Sequence, residues 1–272
     1  MGWNGYNAFG EEPTLDEEKL HDIIEALVES GMQRAGYRYV NLDAGWQSTR
    51  DAEGERVFDA TRLPGGIAAL ADWVHDRGFL FGTYSHIQDC RQMAGGEGFE
   101  AMDVANYVAW EVDYLKYTSC AVVPQPAEPV VTLATALAAA DRSIVLSLAA
   151  PPFAEWMRET AHIWRVSENA RPTWGSLTGA IDATVPLGAY ARPGAFNDPD
   201  MLSVGNGTLT EGEQRVQFSV WSILAAPLIA GHDVTAMTEP TRAILTNAEL
   251  IALDQDPLGL QGALVQTDAN VQ

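Results

Sequence analysis

The chain has 272 residues, 47% hydrophobic and 19% charged, which excludes both a minimal peptide fold and a disordered chain. Its 16 Lys+Arg stand against 37 Asp+Glu, a formal net charge of -21. So acidic a surface repels phosphate backbones and anionic headgroups, so neither nucleic acid nor a membrane is expected as a partner. Two cysteines exclude a disulfide-dense scaffold, and no apolar run reaches the ~18 residues of a membrane span.

The first residues, Met1-Gly2-Trp3-Asn4-Gly5-Tyr6-Asn7, lack the charged stretch and apolar core of a secretory leader. Met1 equally suits an internal residue of a longer chain. Thr14-Leu15-Asp16-Glu17 has the form of a capping box. It precedes Leu20, Ile23, Ile24, Leu27 and Val28 at helical spacing, with Gly31 or Gly36 as the stop. Tyr39-Val40-Asn41-Leu42-Asp43 then reads as a strand, and Ile67, Leu70, Ala71 and Val74 as a helix. Further strands are expected at Phe79-Leu80-Phe81-Gly82-Thr83-Tyr84, Asp113-Tyr114-Leu115-Lys116-Tyr117, Ser143-Ile144-Val145-Leu146-Ser147 and His162-Ile163-Trp164-Arg165-Val166. Ala195-Phe196-Asn197-Asp198 and Pro227-Leu228-Ile229-Ala230-Gly231 close the series. Most of these runs are continuously apolar, as strands covered on both faces require. Helical periods fill the gaps around residues 104–110, 131–140 and 216–224.

Alternating β and α segments mean an α/β fold with parallel crossovers. With Trp3 marking a first, clipped strand, the repeat count favours a closed (β/α)8 TIM barrel over an open sheet. The barrel is expected over residues 1–262, with 263–272 as a tail.

Function in such a barrel sits at the carboxyl ends of the strands. That rule selects Trp3, Asp43, Trp46, Tyr84, His86, Lys116, Thr118, Ser147, Arg165, Glu168, Asn169, Asp198, Asp200, His232 and Asp233. Aromatic faces beside carboxylates and cations suit a polyhydroxylated ligand: rings cover its C–H face and charged groups bind its hydroxyls. Lys116 is one of two lysines, and it interrupts an apolar run, so it needs a countercharge or a shifted pKa. His86 follows a strand and could move protons near neutrality. Cys90 and Cys120 fall just beyond strand ends on neighbouring loops, as a bridge or as two buried thiols. No side-chain spacing suggests a metal site or a phosphate loop, and no cofactor is expected.

The motifs together resemble the α-galactosidases (melibiases) of glycoside hydrolase family 27. The resemblance rests on Met1-Gly2-Trp3-Asn4-Gly5-Tyr6-Asn7, Ala35-Gly36-Tyr37-Arg38-Tyr39-Val40-Asn41-Leu42-Asp43 with Trp46, and Leu63-Pro64-Gly65-Gly66-Ile67 with Leu70-Ala71-Asp72-Trp73-Val74-His75. Val112-Asp113-Tyr114-Leu115-Lys116-Tyr117 with Cys120, Asn197-Asp198-Pro199-Asp200-Met201-Leu202, Ala226-Pro227-Leu228 and Asp254-Gln255-Asp256-Pro257-Leu258-Gly259 continue it in order. It implies a catalytic barrel followed by a small antiparallel β domain, of which residues 263–272 would be the start. It also implies retaining hydrolysis of terminal α-galactosides, a small carbohydrate partner, and a disulfide between Cys90 and Cys120.

Retention needs two carboxylates, one nucleophile and one acid/base. At the position of the family's nucleophile this chain has Thr118, and at that of its acid/base it has Asn169. The family's paired aspartates become Asp43-Ala44, its loop over the sugar's 2-substituent becomes Leu148-Ala149-Ala150, and the acid after Tyr-Ser becomes His86. Trp3, Asp43, Trp46, Tyr84, Lys116, Arg165 and Asp198 remain as expected sugar contacts. Glu168 and His86 are the residues that could replace the missing groups. Three functions are therefore open: an α-glycosidase with relocated acid/base chemistry, a carbohydrate-binding barrel without catalysis, and a repurposed non-hydrolytic enzyme using His86, Lys116 and Asp43. The cysteine pair and the acidic surface lean towards an exported protein.

Overall fold

The structure is a computed structural model that describes residues 1–10, 15–90, 93–120, 127–150 and 152–266. Eight parallel strands form its centre: β1 (Gly2–Asn4), β2 (Tyr39–Asn41), β3 (Leu80–His86), β4 (Tyr114–Thr118), β5 (Val145–Ala149), β6 (Ile163–Arg165), β7 (Phe196–Asp198) and β8 (Ile229–Ala230). Each of these pairs with the next from β1 to β7, and β8 pairs back onto β1. The remaining seam is bridged where Leu202, just past β7, lies parallel to Ala230 of β8. The expected (β/α)8 barrel is thus present, and the short first strand holds its place through partners on both sides.

Strand alternation decides which residues face the barrel interior. In β4, Leu115 and Tyr117 are buried in the core while Lys116 and Thr118 reach the cavity at the mouth. Register carries the pattern across the sheet: Tyr84 pairs Lys116, which pairs Ser147, and His86 pairs Thr118, which pairs Ala149. Gly82 of β3 is required beneath them, because a Cβ there would strike the Asn41 amide and crowd Tyr114.

The helices cover this ring with the apolar faces that their periodicity anticipates. Glu17–Glu29 buries Leu20, Ile23, Ile24 and Leu27, and Gly66–Asp76 buries Ile67, Leu70, Ala71 and Val74. Thr14 lies outside the described residues; the cap of the first of these helices is Asp16, whose carboxylate accepts the Lys19 backbone N–H at 2.8 Å. Thr210 and Glu213 form a capping box ahead of Glu211–Ile223. Two features lie outside the sequence expectations. One is the antiparallel hairpin of Gln47–Arg50 with Arg56–Phe58. The other is Gln261, which takes the Asn197 amide N–H and donates to the Thr184 carbonyl, fastening the segment after the last helix to the barrel. Among the described residues no helix is long and apolar enough to cross a membrane.

Candidate functional site

At the carboxyl ends of the strands lies a polar cavity of about 360 Å³. Of the residues singled out from sequence, Asp43, Tyr84, His86, Cys90, Lys116, Thr118, Cys120, Arg165, Glu168, Asn169 and Asp200 line it. Trp3, Trp46 and Asp198 do not line it, though each supports it. Trp3 is fully buried, with its indole N–H donating to the His232 carbonyl at 2.9 Å. Trp46 is fully buried too, donating to the Tyr84 carbonyl at 3.0 Å beneath the cavity wall. Asp198 sits at the end of β7 and accepts from Arg165 Nε at 3.3 Å. The strand-end list also named Ser147, His232 and Asp233, and none of these lines the cavity either. Tyr6, Asn7, Ala170 and Met201 do line it, although the strand-end rule passed over them. The rule took the aromatic residue within β1, Trp3, whereas the ring that reaches the cavity is Tyr6, which opens the short helix Tyr6–Phe9 after the strand.

Two ion-paired groups define the cavity floor and wall. On one side Asp43, 3% exposed, accepts from Lys116 Nζ at 2.8 Å, from Asn4 Nδ2 at 2.7 Å and from the Ala44 backbone N–H at 2.8 Å. Burial alone pushes this carboxyl up, but the Lys116 charge and the three donors outweigh it and hold Asp43 below its ordinary range. The lysine expected to need a countercharge has one. Its ammonium also lies 5.7 Å from the Tyr6 ring centre and 5.6 Å from that of Tyr84.

On the other side Arg165 Nη2 meets Asp200 Oδ1 at 2.7 Å, and Arg165 Nη1 donates to Asn169 Oδ1 at 3.2 Å. Burial would lower the guanidinium, yet Asp200 and Asp198 hold it above its usual value. Asp200 has φ +82°, a left-handed backbone uncommon for a residue with a side chain. It is held there by its contacts, taking N–H bonds from Ala170 at 2.6 Å and from Met201 at 2.7 Å. Met201 is thereby turned into the cavity.

Neutral groups stand at the two positions that the family resemblance led us to expect for the chemistry, Thr118 and Asn169. Thr118 donates its hydroxyl to the Ala149 carbonyl at 2.6 Å, and Asn169 is exposed with its amide oxygen on Arg165. The cavity carboxylates among the described residues are Asp43, Asp200 and Glu168. The first two are paired with cations, and Glu168 is exposed at the lip. Tyr84 Oη and His86 Nε2 lie 2.9 Å apart, Tyr84 in register with Lys116 and His86 with Thr118 on the neighbouring strand. No group of His, Cys, Asp and Glu suited to a metal ion occurs among the described residues.

The rim is braced twice. Cys90 and Cys120 form a disulfide across the loops after β3 and β4. Behind it, Asp103 receives Arg50 at 2.8 Å through both nitrogens and Arg56 at 2.6 Å, and Arg56 also donates to Ser85 Oγ at 2.8 Å, beside His86. This knot ties the hairpin to β3.

Fold and mouth together define a (β/α)8-barrel protein with a polar, aromatic-edged cavity of about 360 Å³ at the strand ends. Comparison with known proteins makes the class specific. The family described as alpha galactosidase A (melibiase) matches residues 8–256, and the chain belongs to that α-galactosidase family of glycoside hydrolases. An α-galactosidase of Oryza sativa subsp. japonica is 39% identical over 100% of this chain and 67% of its own length. A Bacteroides fragilis crystal structure superposes with a TM-score of 0.93 at 37% identity, covering 99% of this chain and 63% of that one. The α-galactosidase of Saccharomyces cerevisiae, solved with raffinose, gives a TM-score of 0.89 at 28% identity over 99% of this chain and 68% of that one. The chain thus spans about two thirds of the length of the relatives it matches.

Proposed function

We propose that this barrel binds the terminal sugar of a small α-galactoside or related glycoside in its mouth, without the family's double displacement. The observation that carries this reading is the state of the two chemical positions: the Thr118 hydroxyl bonded to Ala149, and the Asn169 amide bonded to Arg165. A threonine hydroxyl lacks the nucleophilicity of a carboxylate unless a base activates it. An amide delivers no proton at neutral pH. A retaining pair must also stand about 5–5.5 Å apart across the anomeric carbon. Asp43 and Asp200 are already engaged by Lys116 and Arg165, which suits gripping hydroxyls better than attack.

In this reading Asp43 accepts hydroxyl protons, while Lys116 and Arg165 donate to hydroxyl oxygens. The Tyr6 ring covers an apolar sugar face. Such loss of essential groups lowers rates by about 10⁴–10⁶ in comparable hydrolases. Calorimetry with galactose and release of nitrophenol from a nitrophenyl α-galactoside test the reading together. Saturable binding without turnover supports it. Turnover at the rate of an ordinary α-galactosidase refutes the loss of catalysis, and absence of any sugar binding refutes the ligand.

A further inference from the structure

A second cavity, of about 370 Å³, lies at the other end of the barrel. Tyr39, Tyr114, Val145, Ile163, Phe196 and Ile229 line it, and each is the first residue of its strand. We propose that this cavity binds a small organic ammonium ion, with the apolar body among the rings and an ammonium N–H on Asp254. The site is separate from the mouth and does not depend on the sugar reading.

The first reason is an unpartnered oxygen. Asp254 ends the helix Ala248–Asp254 and lines the cavity, 7% exposed. Its Oδ2 takes one bond, from Gln255 Nε2 at 2.6 Å, while its Oδ1 is buried with no partner. A buried carboxylate oxygen without a donor is costly. An ammonium supplies the missing donor and the missing charge together.

The second reason is that the lining brings no cationic side chain of its own. Neither lysine nor arginine lines the cavity among the described residues. His162 Nδ1 accepts the Leu146 backbone N–H at 3.0 Å, so its ring is the neutral form with the proton on Nε2, and burial lowers its pKa. The Met1 amino group feels the Asp254 charge, but burial weakens its hold on a proton, and neither Asp254 oxygen is bonded to it. Burial keeps the Tyr39 and Tyr114 hydroxyls neutral. Asp256 adds a second carboxylate at the exposed edge, and a chain of net charge -21 draws cations towards it.

The third reason is shape. The Tyr39 and Tyr114 rings stand 5.6 Å apart and tilted by 56°, and with Phe196 they offer faces to a cation and its apolar body. Pro193, Pro227 and Pro257 stiffen the wall. Gly259, with φ +55°, packs so closely that a Cβ would strike the Pro193 backbone. The volume falls within the usual range for small-molecule sites. Gly194 and Asp256, exposed at the edge, leave a way in.

The test is calorimetry of the full chain at pH 8 with 2-phenylethylammonium and with its neutral counterpart 2-phenylethanol, repeated on Asp254→Asn. At that pH a primary ammonium keeps its proton. The proposal expects the ammonium to bind at least about tenfold more tightly than the alcohol, a gap of about 1.4 kcal/mol. Asp254→Asn, shown by its denaturant melt to be folded, should lose most of that gap while still binding the alcohol as the parent does. Equal affinities for the two compounds in the parent overturn the proposal, as does failure of the ammonium to bind. A gap that survives Asp254→Asn places the ammonium elsewhere on the acidic chain and overturns it too.

Discussion

The two ends of the barrel each bury an aspartate, and the two behave in opposite ways. At the mouth Asp43 is 3% exposed, with a lysine, an amide and a backbone N–H around it, and its carboxyl is held below the usual range. At the amino ends of the strands Asp254 is 7% exposed and faces an apolar cavity of about 370 Å³ with Tyr39, Tyr114 and Phe196. Its Oδ1 has no hydrogen-bond partner and its Oδ2 takes one bond, from Gln255 Nε2 at 2.6 Å. Burial pushes that carboxyl up to about 7, against the Gln255 bond and the weaker pull of the Met1 amino group. Burial is nearly equal, so partners decide the charge state. The mouth keeps its charges by pairing them, as the proposed grip on sugar hydroxyls requires.

Breaking the pair at the mouth has the larger expected effect. Lys116→Met leaves Asp43 buried without its countercharge, and denaturant melts should show a loss of about 3–5 kcal/mol. Galactose binding should vanish with it. A loss under about 1 kcal/mol would mean that Asn4 and the Ala44 N–H suffice to hold the carboxylate.

The opposite end sharpens the comparison through pH. Asp254 has a folded pKa raised above its unfolded value, so its contribution is complete below about pH 4 and is lost as pH rises through about 7. Asp254→Asn should therefore be more stable than the parent at pH 8, by about 2–4 kcal/mol, and no more stable at pH 4. His232 acts with the reverse sign. Burial, opposed by Asp233, lowers its pKa to about 4, so its contribution is present above about pH 6.5 and is lost as pH falls through 4. The parent's profile between pH 4 and 7 should be flattened by these two slopes, and Asp254→Asn should uncover the histidine's. Identical profiles for parent and variant would place Asp254 in water rather than in the apolar cavity.

Much of this arrangement is legible in the sequence, for reasons that differ by residue. The strands show as continuous apolar runs because both faces of a barrel strand are covered. Lys116 shows because an ammonium inside such a run demands a carboxylate, and Asp43 supplies it. The family resemblance implied the Cys90–Cys120 bridge, which the loops after β3 and β4 form. Less legible is the direction of a side chain just outside a strand. Trp3 points back under the His232 carbonyl, and Tyr6, beyond the turn, reaches the mouth. Asp200 was selected at its strand end, but its left-handed backbone at a non-glycine position, and the entry of Met201 beside it, are announced by no residue type. The hairpin over residues 47–58 depends on Asp103, remote in sequence, to anchor Arg50 and Arg56.

The most direct test restores both acids. Thr118→Asp combined with Asn169→Asp should release nitrophenol from a nitrophenyl α-galactoside at least about 10³-fold faster than the parent, given what such groups contribute in related chemistry. Each single replacement should gain far less. A parent that already turns over as fast as the double variant would contradict the account.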